Sequence, residues 1–144
     1  MTFGTETIPK VFKIFGPGNQ YVTAAKQMAT QYQVAIDMPA GPSELLVVAD
    51  QSANAAYVAS DLLSQAEHGT DSQVILITTY LPILEKVSSE IEKQLALLPR
   101  KVIAKQALEN SKMIAFESNK DAITFINQYG PEHYIICMEE QELY

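Results

Sequence analysis

Apolar residues along the chain switch repeatedly between the 3.6-residue spacing of a helix and the unbroken runs of a buried strand. Residues 1–18 carry no sustained period and read as an irregular lead-in; Val11 to Phe15 is too short for a first strand. After Gly18, the stretch Asn19 to Tyr32 sets Val22, Ala25, Ala29 and Tyr32 on one helical face. Val34 to Asp37 is a short candidate strand, ended by Pro39, Gly41 and Pro42. Glu44 to Ala49 is a continuous apolar strand of the kind buried on both faces.

A helix then begins at Ser52 or Asn54, either a good N-cap, and runs through Leu62 and Leu63 to a stop at Gly69. The alternation repeats. Gln73 to Thr78 is a second buried strand, and Pro82 suits the first turn of a helix striped by Leu84, Val87, Ile91, Leu95 and Leu98. A helix over about 101–110 leads to strand Lys112 to Phe116. Asn119 caps a helix through Ile126, which Tyr129-Gly130-Pro131 stops, and His133 to Met138 is the last strand. The acidic tail Glu139 to Tyr144 starts a further helix. Buried strands joined by long helical connections imply right-handed crossovers on a parallel sheet. The expectation is one α/β domain over residues 1–144: a three-layer α/β/α fold, mostly parallel, resembling an incomplete Rossmann sheet.

Composition narrows the chemistry. The chain is 47% apolar and 19% charged, as a globular domain is, and 17 acidic against 10 basic residues leave a net charge of −7. Nucleic-acid backbones and anionic membranes would repel it, so neither is an expected partner. A single cysteine, Cys137, excludes an internal disulfide and any multi-thiolate zinc finger. Two histidines, His68 and His133, are the whole imidazole supply. No apolar run reaches the roughly 20 residues of a membrane span. Met1 to Lys10 lacks the basic and apolar regions of a secretion signal, so a reduced, cytoplasmic setting is expected.

Four stretches invite chemical readings. Gly16-Pro17-Gly18-Asn19 precedes a helix, but Tyr21 stands where a dinucleotide fingerprint needs its third glycine or alanine, so a capping turn is the expectation. Met38 to Glu44 reads either as a rigid loop or as a stiff rim presenting Ser43 to a ligand; no adjacent base or Gly-x-Ser-x-Gly context makes that serine a nucleophile. Gln65 and His68, spaced i and i+3 at a helix end, offer an amide oxygen and an imidazole to a metal, or the imidazole serves the orphan carbonyls. Glu132 and His133 set a carboxylate beside an imidazole on a Gly-Pro turn, either acid–base machinery or a polar surface turn. Cys137 lies in an apolar strand and reads as packing.

In a parallel sheet all strands begin along one edge, and crossover helices end there. Ser43, His68 and Glu132–His133 therefore converge on the amino-terminal edge, opposite the carboxyl edge where such sheets usually bind ligands. The expectation is one wall of a site and not a self-contained nucleotide binder.

These residues lie in strings that resemble the histidinol dehydrogenase family. They include Phe3-Gly-Thr-Glu6, Lys13-Ile-Phe-Gly-Pro-Gly-Asn19, Ile36-Asp-Met-Pro-Ala-Gly-Pro-Ser-Glu44, Ser60-Asp-Leu-Leu-Ser-Gln-Ala-Glu-His-Gly69, Asp71-Ser-Gln-Val-Ile-Leu76 and Asn127-Gln-Tyr-Gly-Pro-Glu-His133. The resemblance implies a zinc- and NAD-dependent oxidation of L-histidinol to L-histidine in two steps through an enzyme-held aldehyde. It implies Gln65 and His68 as zinc ligands, Ser43, Gln65, His68 and His133 as substrate contacts, Glu132 as the base that activates water, and His133 as a proton acceptor. No residue here is assigned to NAD.

The resemblance also implies a central fragment. The family's remaining zinc ligands, an aspartate and a histidine, lie downstream, as do a later catalytic histidine and an acidic substrate contact. The NAD-binding segment lies mainly upstream, and a second subunit completes the pocket. The fragment alone is expected to be inactive, to hold zinc and NAD weakly if at all, and to pair as a homodimer through exposed apolar faces. The contrasting reading is a stand-alone, non-catalytic α/β binding or assembly module; another metal-dependent hydrolase fails on ligand count.

Overall fold

The computed structural model describes residues 1–39 and 43–144. Where the sequence pattern reads one domain, the chain divides into two compact units, Met1–Gly41 and Pro42–Tyr144. The reason is strand pairing: β1 (Lys13–Ile14) and β2 (Ala35–Ile36) bond in parallel to each other, in a sheet of their own.

In the first unit, the stretch expected to be irregular contains β1, which is two residues long. Between β1 and β2 runs α1 (Gln20–Thr30), whose N-cap Asn19 accepts from the N–H groups of Tyr21 and Val22. Its buried residues are Lys26 and Ala29, whereas Val22, Ala25 and Tyr32 are exposed, so the expected apolar stripe is not the buried one. Lys26 can be buried because its charge is paired: the ammonium donates to the Gly16 carbonyl at 2.9 Å and pairs with the Asp37 carboxylate. Asp37 in turn accepts from the Gly16 N–H at 2.9 Å, so one ion pair fastens the Gly16 turn to the end of β2.

The second unit is the three-layer α/β fold. Its four strands are β3 (Glu44–Ala49), β4 (Gln73–Thr78), β5 (Lys112–Ala115) and β6 (His133–Cys137), all parallel, in the order β5-β4-β3-β6. The central pair, β3 and β4, is buried on both sides, which is why their sequences are unbroken apolar runs. Leu45, Val47, Val74 and Leu76 point to one face and pack under α2 (Ala55–Ala66) and α3 (Pro82–Leu97). Leu46, Val48, Ile75 and Ile77 point to the other, under α5 (Asn119–Tyr129). Helix α4 (Lys101–Glu109) closes on the first face through Ala104 and Ala107 against Ala66, small residues that allow close approach.

Helix ends refine the sequence reading. Of the two candidate caps for α2, Asn54 does the capping, accepting from the Ala56 N–H at 2.9 Å. The helix stops at Ala66, short of Gly69, because the chain tightens there into successive turns. The Gly69 carbonyl closes one of those turns, accepting the Ser72 N–H at 3.1 Å. Ser118, not Asn119, caps α5, taking the Asp121 N–H and donating to the Asp121 carboxylate. Asn119 instead accepts from the hydroxyls of Thr79 and Tyr144. The acidic tail makes only a 3-10 turn, Gln141–Leu143. Among the described residues, no helix is long and apolar enough to cross a membrane.

Candidate functional site

The parallel register assembles the site from three chain segments, all in the second unit. Leu45 pairs with His133 and Glu44 pairs with Gln73, so β3, β4 and β6 begin side by side, neighbours about 4.8 Å apart. Ser43 immediately precedes β3, and its carbonyl accepts the Gln73 N–H at 3.2 Å. Glu132 and His133 open β6. His68 lies five residues before Gln73, on the turn that leads from α2 into β4. Ser43, His68 and the Glu132–His133 pair thus share the amino-terminal edge of the sheet. Of the rim loop before Ser43, residues 40–42 lie outside the described residues.

The local turns explain how each group is presented. Gly130 adopts a left-handed conformation, φ 61°, and its N–H closes α5 on the Ile126 carbonyl at 2.9 Å. That reversal, stiffened by Pro131, delivers Glu132 and His133 to solvent: their side chains are 56% and 57% exposed, and Oε1 stands 3.9 Å from Nε2. Gln65 sits in the last turn of α2, whereas His68 falls beyond the helix end. The His68 N–H donates to the Gln65 carbonyl at 3.1 Å, so the i, i+3 pair is held by a turn and not by a continuous helix.

Gln65 is unusual. It is 7% exposed, and its Nε2 is buried with no hydrogen-bond partner among the described residues. An orphaned amide at that depth costs about 1–3 kcal/mol, so the side chain is held there against its own solvation. Its carbonyl oxygen and the exposed His68 imidazole are donor types that zinc accepts. They fit a zinc ion as two neutral donors of a four-donor set, and no cluster of three His, Cys, Asp or Glu side chains supplies the rest among the described residues.

A dinucleotide fits less well at the usual position. The cleft at the carboxyl edge of the sheet, about 380 Å³, is lined by Asp50, Glu139 and Glu140, which would repel a pyrophosphate. In the first unit, Gly16-Pro17-Gly18-Asn19 acts as the expected capping turn; a Cβ on Gly18 would meet Val22 Cβ at 2.4 Å.

Sequence reasoning missed the brace beneath the site. Tyr129, the last residue of α5, donates from its hydroxyl to Gln73 Oε1 at 2.7 Å, and Gln73 Nε2 donates to the Asn110 carbonyl at 3.0 Å. Burial, reinforced by the nearby Glu44 carboxylate, pushes the Tyr129 phenol above its ordinary range and keeps it a donor. The signal available was its place: Tyr129 lies within the Asn127-to-His133 string, immediately before the Gly130–Pro131 turn it anchors.

Comparison with known proteins covers this whole geometry. A family model described as histidinol dehydrogenase matches residues 1–144. A histidinol dehydrogenase of Bacteroides thetaiotaomicron is 59% identical over 139 residues, 96% of this chain and 32% of the relative. One from Yersinia pestis is 56% identical over 144 residues, 99% of this chain and 32% of the relative. The chain belongs to the histidinol dehydrogenase family. The crystal structure of histidinol dehydrogenase from Elizabethkingia anophelis superimposes with a TM-score of 0.92 at 62% identity, over 100% of this chain and 33% of that one. The chain therefore spans about a third of the length of the histidinol dehydrogenases it matches.

Proposed function

We propose that this chain forms one wall of the active site of a zinc- and NAD-dependent oxidoreductase that converts L-histidinol to L-histidine, the last step of histidine biosynthesis. The observation that carries the reading is the convergence of Ser43, Gln65–His68 and Glu132–His133 at one sheet edge, in a chain of this family. The activity belongs to the longer enzyme, in which a second subunit completes the pocket. The cytoplasm, where Cys137 stays a free thiol, is its setting.

In this reading Gln65 and His68 are zinc ligands, and zinc, when bound, orients and polarises the substrate's donor atoms. Ser43 and His133 contact the substrate. His133 accepts the hydroxyl proton in the first oxidation, since hydride leaves an alkoxide more readily than an alcohol. Glu132 takes a proton from the water that hydrates the aldehyde, which prepares the second oxidation. Exposure of both side chains in this chain leaves them open to a substrate supplied from that edge.

The test is a substitution in a polypeptide of the relatives' length. Glu132→Gln is expected to slow oxidation of the aldehyde about 100-fold while histidinol oxidation falls less. Equal rates for variant and parent would remove Glu132 from the mechanism. The 144-residue chain alone should bind zinc weakly, with or without histidinol, because two neutral donors leave the metal charge uncompensated. Histidinol-dependent NADH production by that chain would overturn the shared-site reading.

A further inference from the structure

Gln73, the first residue of β4, bonds to three separate segments at the amino-terminal edge of the sheet. Its N–H donates to the Ser43 carbonyl at 3.2 Å. Its Nε2 donates at 3.0 Å to the carbonyl of Asn110, which caps α4. Its Oε1 accepts at 2.7 Å from the hydroxyl of Tyr129, which ends α5. A carbonyl can only accept, so Asn110 fixes which end of the amide faces it. Oε1 is left for Tyr129, and the hydroxyl must be the donor. The amide is thus held at both ends and cannot turn without breaking two hydrogen bonds.

Both supports are themselves fixed. The Tyr129 ring stacks on Phe125, one turn earlier in α5, with centroids 6.0 Å apart and planes 6° from parallel. Beside Asn110, Ser111 Oγ accepts the Val74 N–H at 3.0 Å and donates to the Ala107 carbonyl at 2.8 Å, which ties α4 to β4. Only Gly130 and Pro131 separate Tyr129 from Glu132. With proline fixing its own φ, a shift of the tyrosine passes to the Glu132–His133 pair with little slack.

This brace lies behind the sheet. Alternation along β4 puts Gln73 on the face of Ile75 and Ile77, under α5. Gln65 belongs to α2 on the other face, and His133 pairs in register with Leu45, which packs on that other face. Gln73 and Tyr129 therefore act on the site through the backbone segments they hold.

We infer that Gln73 and Tyr129 are positioning residues of the oxidation: their hydrogen bond sets the spacing between Ser43 and the Glu132–His133 pair, and with it the rate of proton transfer. The inference rests on the roles proposed for those three residues. It adds that the acid–base end of the site is tuned from behind the sheet, independently of the Gln65–His68 end.

Kinetics of Tyr129→Phe, Gln73→Leu and the double variant test it, in a polypeptide of the relatives' length. Misplaced reacting groups are felt mainly in the transition state, so each single change should lower kcat for histidinol about tenfold, with KM moving less than about threefold. Because the two residues act through one bond, the double variant should also be down about tenfold, not about a hundredfold. Zinc affinity, read by competition with a chromogenic chelator, should match the parent. Gln73→Glu keeps an acceptor for the Tyr129 hydroxyl and should recover most of kcat; Tyr129→Phe carries the test alone if Gln73→Leu does not fold. Parental kcat in Tyr129→Phe, multiplying losses in the double variant, or zinc affinity falling in step with kcat would each overturn the inference. His133→Asn run in parallel separates the two readings. If it too keeps parental kcat, the proposed site itself fails; if it is slow while Tyr129→Phe is not, only the brace fails.

Discussion

The hydroxyl of Tyr129 donates a 2.7 Å hydrogen bond to Oε1 of Gln73, residues 56 positions apart in sequence. Gln73 is also the residue whose N–H holds the Ser43 carbonyl. One amide side chain and its backbone thus link the turn that carries Glu132 and His133 to the segment that carries Ser43. Tyr129→Phe should destabilise the chain by about 1 kcal/mol, because it removes one donor and leaves Gln73 Oε1 partly unpaired. Urea unfolding of variant and parent measures the difference.

Gln65 should respond in the opposite direction. Gln65→Leu replaces a buried amide whose Nε2 has no partner among the described residues with an apolar group of similar size. Stability should rise by about 1 kcal/mol. In a polypeptide of the relatives' length the same change should weaken zinc binding, read by competition with a chromogenic chelator. A loss of stability would mean that the Gln65 amide is satisfied after all.

Gly130 holds φ at 61° to reverse the chain before Glu132. Gly130→Ala should cost about 1–2 kcal/mol, the strain of a Cβ in the left-handed region. Space is not the obstacle, since nothing stands within 4 Å of a Cβ built there. Thermal unfolding checks the cost, and an unchanged midpoint would remove the conformational argument.

Asp37 sets an acid limit on the first unit. The Lys26 ammonium, then the Gly16 N–H, hold its carboxyl below the ordinary value of 3.8. A carboxyl depressed in the folded state contributes stability in full above 3.8 and loses it as pH falls through the lowered value. Stability of the first unit should therefore fall below pH 3.8, and Asp37→Asn should lack that acid-dependent contribution. Carboxyl chemical shifts followed against pH measure both.

The sequence revealed the sheet readily and the helix ends less so. Glu44–Ala49 and Gln73–Thr78 declare themselves because burial on both faces demands an uninterrupted apolar run. The amino-edge convergence of Ser43, His68 and Glu132 follows from parallel topology alone. The cap of α5 lies one residue before Asn119 because Ser118 and Asn119 are both good caps, and tertiary partners Thr79 and Tyr144 claim the asparagine. The buried face of α1 was hidden because its central residue is a lysine; only the structure reveals the carboxylate that permits its burial. The division into two units rests on β1 and β2, each two residues long, too short to show a period. The string Asn127 to His133 draws the eye to Tyr129, but its partner Gln73 lies on β4, 56 residues away, and no local spacing announces a contact of that range.

The unequal edges of the sheet also set an assembly valence. Lys112 guards the β5 edge, and among the described residues β6 pairs with β3 alone, so the sheet of the second unit has at most one adhesive side. Edge-to-edge growth into fibrils needs two such sides on every subunit. With at most one such side a chain cannot propagate end to end, so overproduction of this segment should yield no filaments, which electron microscopy of the concentrated chain would check.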